Sequence, residues 1–178
     1  RLFIGIDNVA AGRTAASLMG RFCPTGSIGV VAGSLHLRDH RERLEGFRGV
    51  LAEEFPALRI VGPLEGLDDA DRTKHAIATM LEAHPDLRGL YNLGAGNAGL
   101  IAALSRQRPE GLRVIAHELS APTRLGLRNG LIDVVLDQNP DGEIRAAIAA
   151  ARAVALGHGA DFHSETIEIG IFLRDNLR

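Results

Sequence analysis

The sequence predicts an α/β fold built on a doubly wound, mostly parallel sheet, and two observations carry that prediction. Strand-like and helix-like runs alternate along the 178 residues, and the strands are continuous apolar stretches rather than half-polar ones. Strands of that kind are buried on both faces, which requires helices above and below the sheet. Right-handed crossovers then gather the strand C-termini along one edge, where ligands of such sheets bind. Residues that directly follow strands are therefore the informative ones.

In chain order, "LFIGI" (2–6) reads as a short strand, and Asp7-Asn8 can cap the Ala-rich helix "AAGRTAASLMGRF". "SIGVVAG" (27–33) is the next strand, set off by Gly26 and Gly33. In "LRDHRERLEGFRGVLAEEF" Leu44, Phe47, Val50 and Leu51 recur at helical spacing, and Pro56 ends the helix. "LRIVG" is a strand; "DDADRTKHAIATMLEAH" begins with acids suited to a helix N-terminus and stops before Pro85. "GLYNL" and "LRVIAHE" are strands on either side of the helix "AGLIAALSRQ", and "PTRLGLRNG" closes at Asn129-Gly130. "IDVVLDQ" reads as a buried strand, "GEIRAAIAAARAVALG" as a helix and "ETIEIGIFL" as a last, partly alternating strand. The loops expected along the ligand edge are Asp7-Asn8, "SLHLRDHR", "GAGN", "HELS" and "DQNP".

Twenty Lys and Arg against 22 Asp and Glu give a formal net charge of -2, so no basic field marks nucleic acid as a partner of this segment. The one cysteine, Cys23, has no internal disulfide partner, which fits a reducing compartment. No apolar run reaches the length of a membrane span and no signal-like segment opens the chain, so the expectation is a soluble, cytoplasmic protein with no membrane partner. The start at Arg1, running straight into "LFIGID", reads as a piece of a longer polypeptide.

Gly94-Ala95-Gly96-Asn97-Ala98-Gly99 is a G-x-G-x-x-G motif between a strand and a helix. Glu118 stands about 20 residues further on, where a ribose-binding acid belongs. One alternative is thus an NAD-dependent oxidoreductase. Against it, the fingerprint normally opens its domain, whereas three strand-helix units precede it here and little more than two strands follow. No second half is left to hold a nicotinamide.

"GIDNVAAGRTAASLM", "IGVVAGS…RERLEGFRGVL", "VIAHE", "DVVLDQNP" and the terminal "FLRDNL" resemble, in the same order, the effector-binding region of LacI-type transcriptional regulators. Those regulators share their fold with periplasmic sugar-binding proteins of type I. The resemblance implies two α/β lobes closing on a small ligand, usually a sugar, with no enzymatic activity and no cofactor. It divides the chain into a second lobe, residues 22–130 and 159–178, and a remnant of the first, residues 1–21 and 131–158. It implies ligand roles for Asp7 and Asn8, for Arg41 before the Gly-Phe of its helix, for Glu118 and for Gln138. Relatives carry Asn-Asp where this chain has Leu93-Gly94, and Asn92 or Asn97 is the expected substitute. It further implies a homodimer and operator DNA bound through a separate N-terminal domain. A periplasmic transport receptor is the nearest alternative.

The residues themselves fit a sugar, whose hydroxyls both donate and accept and are complemented by guanidinium, carboxylate and amide groups. Each also has a plainer reading. Asp7-Asn8 and Glu118 can cap helices, Gln138 can satisfy a turn, and Arg41 can join the ion pairs of "RDHRER", whose Arg38 and Arg43 are read as surface. His36 and His40 are four apart, but no third ligand at clear spacing makes a metal site. His117 reads as a packing or cleft-wall residue, and Cys23 as a small buried hydrophobe. No Ser-His-Asp order or convincing carboxylate pair points to catalysis.

Overall fold

The computed structural model describes residues 3–157 and 167–177. A sheet of six strands has the order β2-β1-β3-β4-β5-β6. Its strands are β1 (Gly26–Ala32), β2 (Leu58–Glu65), β3 (Leu87–Asn92), β4 (Arg113–His117), β5 (Val134–Asp137) and β6 (Gly170–Phe172). The first five are parallel and β6 runs antiparallel to β5. The expected doubly wound α/β class is therefore the one observed.

Six helices link the strands: α1 (Asn8–Phe22), α2 (Arg38–Glu54), α3 (Ala70–Ala83), α4 (Asn97–Arg106), α5 (Ala121–Arg128) and α6 (Pro140–Ala155). Residues of α1 and α2 close one face of the sheet with Ile28, Val30, Tyr91, Ile115, Val134 and Leu136. Residues of α3, α4 and α5 close the other with Val31, Leu90, Val114 and Val135. Alternate residues of each strand thus enter different cores, which is why the strands read as unbroken apolar runs. The sequence order reverses between β1 and β3, so the crevice of this sheet lies where those two strands end.

One expectation is corrected here: residues 3–6 of "LFIGI" are irregular and form no strand, with no neighbouring strand among the described residues to offer the hydrogen bonds that a strand requires. Across the boundaries expected after residues 21 and 130 the described residues pack continuously. The helix α1, assigned to a first-lobe remnant, buries Ala15, Ala16 and Met19 in the main core. It crosses α2 so closely that a Cβ at Gly12 would lie 1.9 Å from the Arg43 carbonyl oxygen. The strand β5, assigned to the same remnant, continues the parallel ladder from β4. The boundary expected between 158 and 159 lies outside the described residues. Only α6 stands apart. It buries Ala150 alone and leaves Ile144, Ile148 and Val154 exposed, while Ala146 joins Ile4, Ile6, Ala11, Ile167 and Ile169 in a small separate cluster.

Candidate functional site

Two side chains and one main-chain carbonyl, from three segments, converge on Arg43 of α2. It is 1% exposed, and its guanidinium donates three hydrogen bonds: Nε to Asn8 Oδ1 at 2.9 Å, Nη1 to the Leu93 carbonyl at 2.8 Å and Nη2 to Gln138 Oε1 at 2.9 Å. Asn8 opens α1, Leu93 follows β3 and Gln138 follows β5. The cation therefore ties together the start of the first helix and two strand ends. All three acceptors are neutral, so its positive charge acts on the groups around it instead of being spent in an ion pair.

Arg41 is exposed and donates to the main-chain oxygens of Leu35 and His36, whereas Arg43, two positions on, is buried. The reading of Arg43 as a surface residue therefore fails. Helical spacing could have separated the two. Arg43, Phe47 and Val50 follow i, i+4, i+7 and lie on the buried face, whereas Arg41, Glu45 and Arg48 lie on the opposite, exposed one.

Glu118 directly follows β4, with its backbone at φ 69, a left-handed conformation costly for a side chain of this size. Its amide donates to the Leu136 carbonyl, and its own carbonyl accepts from Ser120 N and Thr123 Oγ1. Capping of α5 falls to Ser120 and Thr123, leaving the Glu118 carboxylate outside that role. Burial pushes that carboxyl above its ordinary pKa. Arg43 and His40 pull it back, while Asp68 and Asp137 push it further up. Two pockets, of about 260 and 330 Å³, share Gln138 and Glu143 as walls. The larger also takes in Glu118, Ser120 and Asp137; the smaller takes in Asn8, Phe3 and Asp39.

The remaining predicted residues separate into two groups. Asp7 accepts from Ala10 N at 2.9 Å and caps α1, its plainer reading. Asn92 and Asn97 are buried and spend their amides inside the fold: Asn92 Nδ2 donates to the Ala95 carbonyl and to Asn97 Oδ1, and Asn97 Nδ2 to the His117 carbonyl. They fasten β3, α4 and β4 together, and Asn92 Oδ1 is buried without a hydrogen-bond partner among the described residues. His117 is fully buried, hydrogen-bonded through Nε2 to the Tyr91 hydroxyl at 2.8 Å, and held neutral by burial and by Arg43 and His40. Cys23 is buried, its Sγ against the Arg88 carbonyl. His36 is exposed and His40 buried; among the described residues no three His, Cys, Asp or Glu come together as metal ligands. No helix among them is long and apolar enough to cross a membrane.

The glycine motif has an internal occupant. Asp68 Oδ1, from the loop between β2 and α3, accepts from Ala95 N at 2.8 Å. Where a pyrophosphate would approach the glycines, this carboxylate already packs: a Cβ at Gly94 would lie 2.9 Å from Asp68 Oδ1 and 2.3 Å from Gly33 N, and one at Gly96 would lie 2.2 Å from Thr73 Oγ1. The glycines thus let three loops approach one another, and the anion that the turn accepts is the protein's own.

A family profile described as a periplasmic binding protein domain matches residues 2–159. The chain belongs to the periplasmic binding protein domain family. Solved structures agree with this domain over nearly all of its length. A solute-binding protein of an ABC transporter from Burkholderia graminis C4D1M, in complex with D-arabinose, is 26% identical with a TM-score of 0.90, covering 98% of this chain and 62% of that one. AraP, an arabinose binding protein from Geobacillus stearothermophilus, is 24% identical with a TM-score of 0.87, covering 98% and 63%. A periplasmic solute binding protein of an ABC transporter from Actinobacillus succinogenes 130z, with bound D-allose, is 18% identical with a TM-score of 0.86, covering 97% and 60%. The domain therefore spans less than two thirds of these relatives. Comparison with curated proteins gives no match.

Proposed function

We propose that the chain supplies one wall of a carbohydrate-binding cleft, with Glu118, Gln138, Asn8 and Arg43 as the groups that meet the sugar. One observation carries this reading: a buried guanidinium gathers two side-chain amides at the edge where strands end, beside a carboxylate and two pockets. Arginine has five N–H donors, of which the three bonds described above use one each. Two remain, and with the Glu118 carboxylate they match the paired donor and acceptor character of sugar hydroxyls. The binding step is reversible and involves no bond-breaking, in keeping with relatives that are binding proteins.

A transport receptor is the main reading, because the solved relatives reported above are described as sugar-binding or solute-binding proteins. A LacI-type regulator is the second, favoured by the terminal "FLRDNL". That segment ends β6 and closes in a 3-10 turn at Arg174–Asn176, where Asn176 Oδ1 accepts from Leu173 N and its Nδ2 donates to the Ile171 carbonyl. The regulator reading implies a cytoplasmic dimer with a separate DNA-binding domain; the receptor reading implies secretion. A helix-turn-helix in the same polypeptide would favour the first, and a secretory signal the second.

Carbohydrate binding is tested by calorimetric titration of the whole polypeptide that carries these residues with D-arabinose, D-allose and D-galactose. A saturable heat with at least one of them, lost in Gln138→Ala, is the expected result. No heat from any neutral sugar, together with saturable binding of NAD, overturns the proposal.

A further inference from the structure

We infer that Asp137 is the positioning residue of this site, its single carboxylate locking together the two loops that carry Glu118 and Gln138. Asp137 is the last residue of β5 and lies immediately before Gln138. Its Oδ1 accepts from Leu119 N at 2.8 Å, and its Oδ2 from Asn139 N at 3.2 Å. Those two amides belong to the residues directly after Glu118 and after Gln138.

Backbone geometry shows why such a lock is needed. Glu118 has φ 69 and Asn139 φ 55, two of the four non-glycine residues with positive φ among the described residues. Such a conformation persists only where its surroundings over-determine it. The β4–β5 ladder pairs His117 with Leu136, and Glu118 N still reaches the Leu136 carbonyl. One residue further on, the main-chain partner is replaced by a side chain: Leu119 N turns to the Asp137 carboxylate. The ladder is thus extended past its end on an acceptor that also holds Asn139. A charged acceptor makes both bonds stronger than neutral ones would be.

Four groups from three elements act on the Glu118 carboxyl: Arg43 and His40 of α2, Asp68 of the loop before α3, and Asp137. Asp137 therefore bears on Glu118 twice, through the Leu119 amide that it holds and through its charge.

The test uses the isotopically labelled 178-residue chain without ligand, then the whole polypeptide with sugar. In the wild type the Leu119 and Asn139 amide protons resonate downfield, both hydrogen-bonded to the Asp137 carboxylate. In Asp137→Asn, which keeps the shape and one acceptor oxygen, Glu118 titrates at lower pH because a negative neighbour is gone; in Asp137→Ala both amide shifts collapse. Leu119 and Asn139 amide shifts unmoved by Asp137→Ala, or a Glu118 titration unmoved by Asp137→Asn, overturn the inference. The functional consequence rests on the carbohydrate reading: Asp137→Ala weakens sugar binding by about tenfold or more, with partial recovery in Asp137→Asn. Unchanged sugar affinity alongside collapsed amide shifts overturns the ligand role of Glu118 and Gln138 and leaves the lock itself standing.

Discussion

Arg43 Nη2 and Gln138 Oε1 meet at 2.9 Å although 95 positions separate them in the sequence. Their bond joins α2 to the segment leaving the last parallel strand, and Asn8 brings in the segment that enters α1. One buried cation therefore fastens the point at which residues 3–7 enter α1 and the point at which the chain leaves β5 for α6.

Removing that cation strands three buried or half-buried acceptors at once. Arg43→Ala is expected to lower the unfolding free energy by about 3 kcal/mol or more, the scale for leaving several polar partners unsatisfied. Arg41→Ala, whose side chain is exposed on main-chain oxygens, is expected to change it by less than about 0.5 kcal/mol. Urea unfolding of the two variants side by side checks the assignment; the opposite ranking would mean that the helix is rotated from the face described.

The raised pKa of Glu118 has a definite sign in stability. The folded state holds this proton more tightly than the unfolded chain, whose carboxyl titrates near 4.5. Stability from this group is therefore fully present below pH 4.5 and is lost as pH rises through the folded pKa. Glu118→Gln removes the penalty, so the variant melts above the wild type at pH 7 and the gap narrows as pH falls toward 4.5. Melting curves across that range check this; a gap that widens on acidification reverses the sign. Glu143, also raised by burial, contributes in the same direction in both proteins and cancels in the difference.

At the glycine turn, Gly94→Ala forces a methyl group to within 2.3 Å of the Gly33 backbone nitrogen, a contact relieved only by moving main chain. The expected cost is about 1–3 kcal/mol, the range for overpacking. The wild type, with Asp68 seated on the Ala95 amide, should give no saturable signal with NAD or NADP. Micromolar binding of either would show that Asp68 leaves the turn.

The class of fold was legible because both sheet faces are covered, which writes apolar runs directly into the strands. "LFIGI" looked the same but lacked a neighbour, and pairing is a property of two segments, never of one. Glu118 and Gln138 could be set directly after β4 and β5 because strand ends are easy to place. Arg43 could not be found by charge alone, since "RDHRER" reads as a solvated run until the helix is turned to put Phe47 and Val50 inside. Asn92 and Asn97 show a related ambiguity. An amide that holds a loop together has the same composition as one that greets a ligand, and only its partners differ. Asp68 and Asp137 were invisible because their importance lies in amides of other loops, 27 and 18 positions away.

The solitary packing of α6 has a consequence for how the chain breathes. Its interior partners amount to Ala150 and the cluster around Ala146, whereas Tyr91 and Phe47 stack at the centre of the main core with ring centroids 4.6 Å apart. Amide protons of α6 should then exchange with deuterium through small openings of that helix alone, while those of β3 wait for the whole sheet to open. A single polypeptide thus holds two clocks, and the slower one keeps time for the sheet on which Arg43 and Glu118 are mounted.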